Sequence, residues 1–155
     1  ILFHDDWGAK DRLFMSADIW REFFKPRYAQ LYAYVRGRGV LVLHHADSYL
    51  TPITGDMAEI GIQVWQGVLP SNDITGIQKN LGGKMLLMGG LDAGLIDRVD
   101  WKEDVVRGEV RRACSEYAPA GGYIPCITYG GAESIYPGVY ETISDEIRLQ
   151  SRLYF

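Results

Sequence analysis

Side chains that could do chemistry follow short apolar runs in this chain. The clearest run is 40–43, made of Val and Leu, which leads directly into His44 and His45 and reaches Asp47 shortly afterwards. A Val- and Leu-rich strand without polar alternation is typical of a parallel sheet covered by helices. Ligands gather at the carboxyl ends of such strands. We therefore expect these three side chains to lie at a functional site.

The same arrangement recurs at other points in the chain. Apolar runs at 1–3, 62–65, 85–88 and 123–125 lead into polar, ligating or aromatic side chains: His4, Asp5, Asp6 and Trp7; Gln66; Asp92; Cys126 and Tyr129. The carboxylates could orient a histidine, bind a cation or act in acid–base catalysis. Asp92 has an alternative role as a helix cap. The aromatic residues could wall a pocket or pack in the core.

The donor types at these strand ends match those that zinc accepts. Imidazole nitrogen, carboxylate oxygen and thiolate sulfur all bind Zn²⁺, and a catalytic zinc needs only three protein ligands. His44, His45, Asp47 and Cys126 therefore predict a metal that activates a substrate oxygen or thiol. The alternative is that a histidine hydrogen-bonds a neighbouring strand, Cys126 is buried and inert, and no metal binds.

Bulk composition narrows the classes of function. The 155 residues are 47% hydrophobic and 23% charged, which is ordinary for one globular domain spanning 1–155. A net charge of -4 provides no basic field for nucleic acid or anionic lipid. Apolar runs fall short of the roughly 20 residues that cross a bilayer. Two cysteines are too few for a disulfide scaffold. We expect a soluble, cytoplasmic protein.

Helical patterns separate the apolar runs. Ser16 caps a predicted helix that Pro26 breaks or kinks, and Pro137 begins the last helix. About five parallel strands alternate with helices, which predicts an α/β fold that is part of a (βα)8 TIM barrel. A closed barrel has eight strands, so we interpret the chain as the C-terminal part of one, within a longer chain. Open sheet edges then favour a homo-oligomer.

Four segments of the chain form a recognisable set of motifs: Asp5-Asp6-Trp7-Gly8, the stretch 20–28, Gly89-Gly90-Leu91-Asp92 and Gly121-Gly122-Tyr123-Ile124. Together they resemble the C-terminal half of the uroporphyrinogen decarboxylase superfamily. The resemblance implies a (βα)8 barrel. It also implies one of two activities, decarboxylation of uroporphyrinogen or cobamide-dependent methyl transfer.

The two activities place different residues in the site. In the decarboxylase, a Ser and a His border the pocket, and the corresponding positions here carry Asp6 and Tyr129. In the methyltransferases, a His-x-Cys and a later Cys bind zinc, and the methyl group is carried by a corrinoid on a partner protein. Here His44 and Cys126 match that pattern, with Ala46 in place of the first Cys.

We therefore predict a methyltransferase-like barrel acting on a small methylated donor or a corrinoid-bound methyl group. His44 and Cys126 are the predicted metal ligands, and His45, Asp47 and Asp6 are the predicted catalytic groups. The predicted substrate contacts are Asp5, Trp7, Gln66, Asp92 and Tyr129. One alternative is a decarboxylase of a tetrapyrrole or polycarboxylate, which would require arginines. The other is a non-catalytic half-barrel that only binds or assembles.

Overall fold

The computed structural model describes residues 1–128 and 135–154, which contain a parallel five-stranded sheet in chain order. The strands are Leu2–His4 (β1), Leu43–His45 (β2), Val64–Val68 (β3), Leu86–Gly90 (β4) and Tyr123–Cys126 (β5). The helices are Ala17–Ile19 (α1), Lys25–Arg36 (α2), Thr54–Glu59 (α3), Ile74–Leu81 (α4), Ala93–Ile96 (α5), Glu103–Tyr117 (α6) and Val139–Tyr154 (α7). The predicted α/β fold, five parallel strands of a partial TIM barrel, is confirmed.

The predicted interruption at Pro26 takes the form of a π-helical turn. Ser16 caps α1 by accepting a hydrogen bond from the Ile19 amide at 3.2 Å. The turn Trp20–Phe24 then joins α1 to α2. Pro26 lies in the first turn of α2, where its missing N–H is tolerated. The chain therefore stays helical through the proline.

The strands extend past the apolar runs into the polar residues. β2 contains both His44 and His45, and Gln66 lies inside β3. Backbone pairing continues across these residues, because His4 is in register with His45 and His45 with Gln66. Each polar side chain therefore has an orientation set by strand alternation.

The two faces of the sheet have different surroundings. The helix-covered face carries Phe3, His44, Trp65, Leu87 and Tyr123, and the last four are buried. The ring of Phe3 lies 4.9 Å from that of Tyr32 in α2, and Tyr123 lies 5.3 Å from Tyr117 in α6.

The opposite side of the sheet, which we call the open face, carries side chains that are partly or largely exposed. Its members are Leu2, His4, Leu43, His45, Val64, Gln66, Leu86, Met88, Ile124 and Cys126. In a closed barrel this face becomes the interior.

A glycine allows β2 and β3 to approach closely at their carboxyl ends. The register between β3 and β4 shifts between Gln66 and Val68, and the intervening Gly67 has a φ of 107°. A Cβ at this position would lie 2.5 Å from the carbonyl oxygen of Ala46. The bulge therefore requires glycine, both for the backbone angle and for the space.

No helix in the described ranges combines the length and the apolar character that crossing a membrane requires.

Candidate functional site

Three polar side chains lie side by side at the carboxyl end of the open face. The registers place His4 beside His45 and His45 beside Gln66. The rings of His4 and His45 meet edge to face with centroids 4.2 Å apart. On the other side of β4, Cys126 is in register with Gly90. The strands therefore bring imidazole, amide and thiol groups to one face.

A series of hydrogen bonds runs across the sheet from His45 through Gln66 to Thr128. The Nδ1 of His45 contacts the Oε1 of Gln66, and the Nε2 of Gln66 donates to the carbonyl oxygen of Thr128 at 3.2 Å. Gln66 was predicted to bind substrate, but the structure commits both ends of its amide to protein partners. Its side chain therefore supports His45.

Cys126 is held as a neutral thiol. Cys126 is only partly exposed, and its partial burial raises the pKa of the thiol to about 11, although the hydrogen bond with Gln66 acts in the opposite direction. A thiol with this pKa is protonated at neutral pH and is a weak nucleophile. The side chain is therefore suited to packing or to donating a weak hydrogen bond.

Asp6 and Asp47 connect the loops that follow β1, β2 and β5. The Oδ1 of Asp6 accepts hydrogen bonds from the Asp47 amide at 2.8 Å and from the Ser48 hydroxyl at 3.2 Å. The Oδ1 of Asp47 accepts from the Thr128 hydroxyl at 2.9 Å. Asp6 is therefore engaged in holding the β2 loop. Within residues 1–128 and 135–154, no hydrogen bond engages the other carboxylate oxygen of Asp47.

A cavity of about 390 Å³ lies beside this network, at the carboxyl ends of the strands. Asp47, Asp92 and Asp97 contribute carboxylates to its wall, and Lys10 contributes one cation. None of the described residues around it is an arginine. The charge distribution favours a neutral or cationic ligand over a polyanion.

Asp92 reaches the cavity because α6 holds the end of β4. The buried Glu109 accepts a hydrogen bond from the Asp92 amide at 2.8 Å and pairs with Arg112 at 2.7 Å. Arg112 in turn donates to the carbonyl oxygen of Gly90 at 2.9 Å. The Asp92 side chain makes no capping hydrogen bond to α5. Of the two roles considered for Asp92, the geometry supports lining the cavity.

His44 faces the helices, away from the open face. It is fully buried, and its ring stacks on Trp7 with centroids 4.1 Å apart. Its Nδ1 bonds the Tyr32 hydroxyl at 2.7 Å, and its Nε2 bonds the carbonyl oxygen of Asp5 at 3.0 Å. Burial lowers the pKa of His44 to about 4. The predicted pairing of His44 with Cys126 therefore needs correcting, because strand alternation separates the two and His45 occupies the open face.

Two predicted substrate contacts also belong to the packing around His44. Trp7 is buried, and its ring contacts those of Trp20 and Tyr28 as well as that of His44. The carboxylate of Asp5 accepts a hydrogen bond from the Tyr28 hydroxyl. Trp7 therefore lies in the core instead of at the mouth of the site, and Asp5 joins β1 to α2.

The predicted zinc ligands are not assembled among the described residues. No group of three His, Cys, Asp or Glu side chains in residues 1–128 and 135–154 could hold a metal ion. Both ring nitrogens of His44 already have partners. This donor set does not fit zinc, and we derive no step through a metal. Tyr129, the remaining predicted contact, lies outside the described residues.

The sequence pattern placed His4 at the end of the first apolar run without giving it a role, and it did not indicate Lys10 or Thr128. His4 is recognisable in retrospect, because it ends β1 in the same alternation as His45 in β2. Lys10 and Thr128 come from loops that no strand pattern places. Their positions depend on the packing of separate βα units.

Comparisons with known proteins agree with this architecture. The family model for uroporphyrinogen decarboxylase (URO-D) matches residues 5–133. A solved structure of a methyltransferase from Methanosarcina mazei superposes with a TM-score of 0.72 and 19% sequence identity. The match covers 99% of this chain and 42% of that chain. At this identity the likeness concerns the fold. No curated protein matches the chain.

Proposed function

From the premise that the chain belongs to the uroporphyrinogen decarboxylase family, we propose that it is the site-bearing part of a methyltransferase. The methyl group comes from a small methylated donor, or from a corrinoid carried by a partner protein. The chain spans 42% of the length of the solved methyltransferase that it matches. The remaining strands of a closed barrel would cover the open face and so enclose the site.

The observation that carries this proposal is that the hydrogen-bonded series from His45 through Gln66 ends at Thr128, which borders the acidic cavity. His45 lies on the open face with one ring nitrogen bonded to Gln66. Asp47, two residues further on, borders the cavity and has one oxygen bonded to Thr128. Proton transfer by a positioned histidine contributes typically 10²- to 10⁴-fold to a reaction rate.

The charges of the cavity support a donor without acidic groups. Asp47 and Asp92 would attract a methylated ammonium compound or tolerate a neutral one. A tetrapyrrole or another polycarboxylate would bring like charges into a partly dehydrated cleft. The decarboxylase alternative requires cations to pair with those groups, and Lys10 alone among the described cavity residues provides one.

The acceptor is proposed to be a corrinoid or a small thiol. A reduced corrinoid supplies a strongly nucleophilic cobalt that takes a methyl group, and here it is a substrate delivered by another protein. In this chain, Asp47 and Asp92 would bind the methyl donor, and His45 would accept or donate a proton during the transfer. Its barrel loops would exclude water from the transferring methyl group.

Assays of methyl transfer and of decarboxylation test the proposal. The full-length protein that contains this chain is used, because we expect the isolated chain to be inactive without the rest of the barrel. It is incubated with a methylated ammonium compound, a methyl ether or a methyl thioether, together with reduced cobalamin or a small thiol. Methyl transfer is followed by the visible spectrum of cobalamin and by mass spectrometry of the methylated thiol. We expect transfer from at least one donor.

A parallel reaction with uroporphyrinogen measures release of CO₂. Release of CO₂ without methyl transfer would replace the proposal with the decarboxylase alternative. Absence of both reactions would favour the non-catalytic half-barrel, which is the remaining alternative.

A further inference from the structure

We propose that Gln66 is a positioning residue that holds His45 in the tautomer with hydrogen on Nδ1. His45 then offers the Nε2 lone pair to a ligand that carries an N–H, O–H or S–H group. This inference rests on the proposed function, since it names the accepting atom of the same site and the kind of ligand group that it takes.

The backbone carbonyl oxygen of Thr128 can only accept a hydrogen bond. It lies 3.2 Å from the Nε2 atom of Gln66. An amide flip at Gln66 would place an oxygen against this carbonyl and lose the bond. The backbone of Thr128 therefore sets which end of the Gln66 side chain points toward His45.

The end that points toward His45 is the amide oxygen, Oε1. This atom is also only an acceptor, so the Nδ1 atom of His45 must supply the hydrogen. A neutral imidazole carries one N–H, and Nε2 is then an acceptor with a free lone pair. The structure gives Nε2 of His45 no hydrogen-bond partner among the described residues.

His44 is held in the opposite tautomer by the same logic. Its Nε2 lies 3.0 Å from the carbonyl oxygen of Asp5, so Nε2 carries the hydrogen. Its Nδ1 then accepts from the Tyr32 hydroxyl at 2.7 Å. Both nitrogens of His44 are occupied, and its ring is buried. Of the two adjacent histidines, His45 therefore has the available lone pair.

Nuclear magnetic resonance of ¹⁵N-labelled histidine tests the assignment directly. Long-range ¹H–¹⁵N correlations at alkaline pH, where the rings are neutral, distinguish a nitrogen that carries hydrogen from one that does not. We expect His45 to show hydrogen on Nδ1 and His44 to show hydrogen on Nε2. The chain has only three histidines, so the spectrum can be assigned with His4→Gln and His45→Gln variants.

Two substitutions of Gln66 separate positioning from folding. Gln66→Leu removes the acceptor, and His45 should shift toward the Nε2–H form that histidine prefers in water. Gln66→Glu keeps an acceptor and should retain hydrogen on Nδ1. Gln30→Leu, on an exposed position of α2, should leave the spectrum unchanged.

Hydrogen on Nε2 of His45 in the wild-type protein would overturn the assignment. An unchanged tautomer in a folded Gln66→Leu variant would overturn the role of Gln66. Because the tautomer is measured without substrate, this result is independent of whether methyl transfer is detected. A confirmed tautomer with no transfer would count against the proposed function and leave the assignment intact.

Discussion

At the scale of the residue, the surroundings of His44 make it a determinant of stability at mildly acidic pH. The ring is fully buried, with a pKa lowered from 6.5 to about 4 because burial disfavours the imidazolium. Between these two values, the unfolded chain binds a proton that the folded chain does not. Stability contributed by neutral His44 is therefore present above pH 6.5 and is lost as the pH falls toward 4.

We expect a loss of about 2 kcal/mol in unfolding free energy between pH 7.5 and pH 5 from this residue alone. Urea unfolding of the wild-type protein and of His44→Gln at both pH values measures it. The variant should be less stable at pH 7.5 and should show a smaller decrease on acidification. His4→Gln, at an exposed histidine, should retain the wild-type decrease. Equal pH dependence in wild type and His44→Gln would contradict this account.

The positions of the candidate residues in the fold, as distinct from their roles, were partly predictable from sequence. The strand-end rule correctly located the carboxyl edge at which His45, Asp47 and Asp92 lie. It could not show on which face of the sheet each histidine lies, because an apolar run of Val and Leu does not indicate which side chain points to the helices. The structure shows that β2 includes both histidines, with His44 buried and His45 partly exposed. A shift of one residue in the predicted register exchanges these two positions.

At the scale of the element, the bulge in β3 depends on Gly67. Gly67→Ala adds a Cβ 2.5 Å from a backbone oxygen at a positive φ, so strands β2 and β3 must separate or the backbone must rearrange. We expect a loss of roughly 2–4 kcal/mol of stability, measured by urea unfolding.

Gly108 is the matched control, since it lies inside α6 with open space around its Cα. Gly108→Ala should stabilise the protein by up to about 1 kcal/mol, because alanine favours the helix. A Gly67→Ala variant as stable as the wild type would show that the bulge can relax.

The order of elements was accessible from sequence, whereas their ends were not. Alternating apolar runs and amphipathic patterns predicted five strands separated by helices. The strands end later than predicted because backbone pairing continues through His45, Gln66 and Gly90. Such pairing depends on neighbouring strands that are distant in sequence, and local composition does not report it.

At the scale of the whole molecule, the open face leaves apolar side chains in contact with water. Leu2 is 58% exposed, and Leu86 and Ile124 are each 38% exposed. The edge strands β1 and β5 each have a neighbour on one side within the described sheet. Exposed parallel edges and an apolar face favour association.

We therefore predict that the 155-residue chain forms a dimer or larger assembly at micromolar concentration. Light scattering coupled to size-exclusion chromatography measures its mass. A Leu86→Lys, Ile124→Lys double variant should shift the population toward monomer. Val99→Lys, at a residue that is 81% exposed outside the sheet, should not. A well-folded wild-type monomer would contradict the prediction.

The sequence supported the family and the fold but did not reveal the ligand. The motifs around Asp5, Trp20, Gly89 and Gly121 led to the family that the comparison confirmed. The strand-end pattern supplied Asp47 and Asp92, whereas Lys10 and Asp97 come from loops that only the structure brings to the cavity. No single segment encodes that assembly, so local sequence patterns did not predict the complete lining of the cavity.

The most direct test of the central claim is the rate of methyl transfer in a His45→Gln variant. If the open face carries the chemistry, the rate should fall by about 10²-fold or more, with unchanged circular dichroism and unfolding free energy. Arg38→Gln, at an exposed residue near the end of α2, should keep the wild-type rate. A folded His45→Gln variant that transfers methyl groups at the wild-type rate would contradict the account.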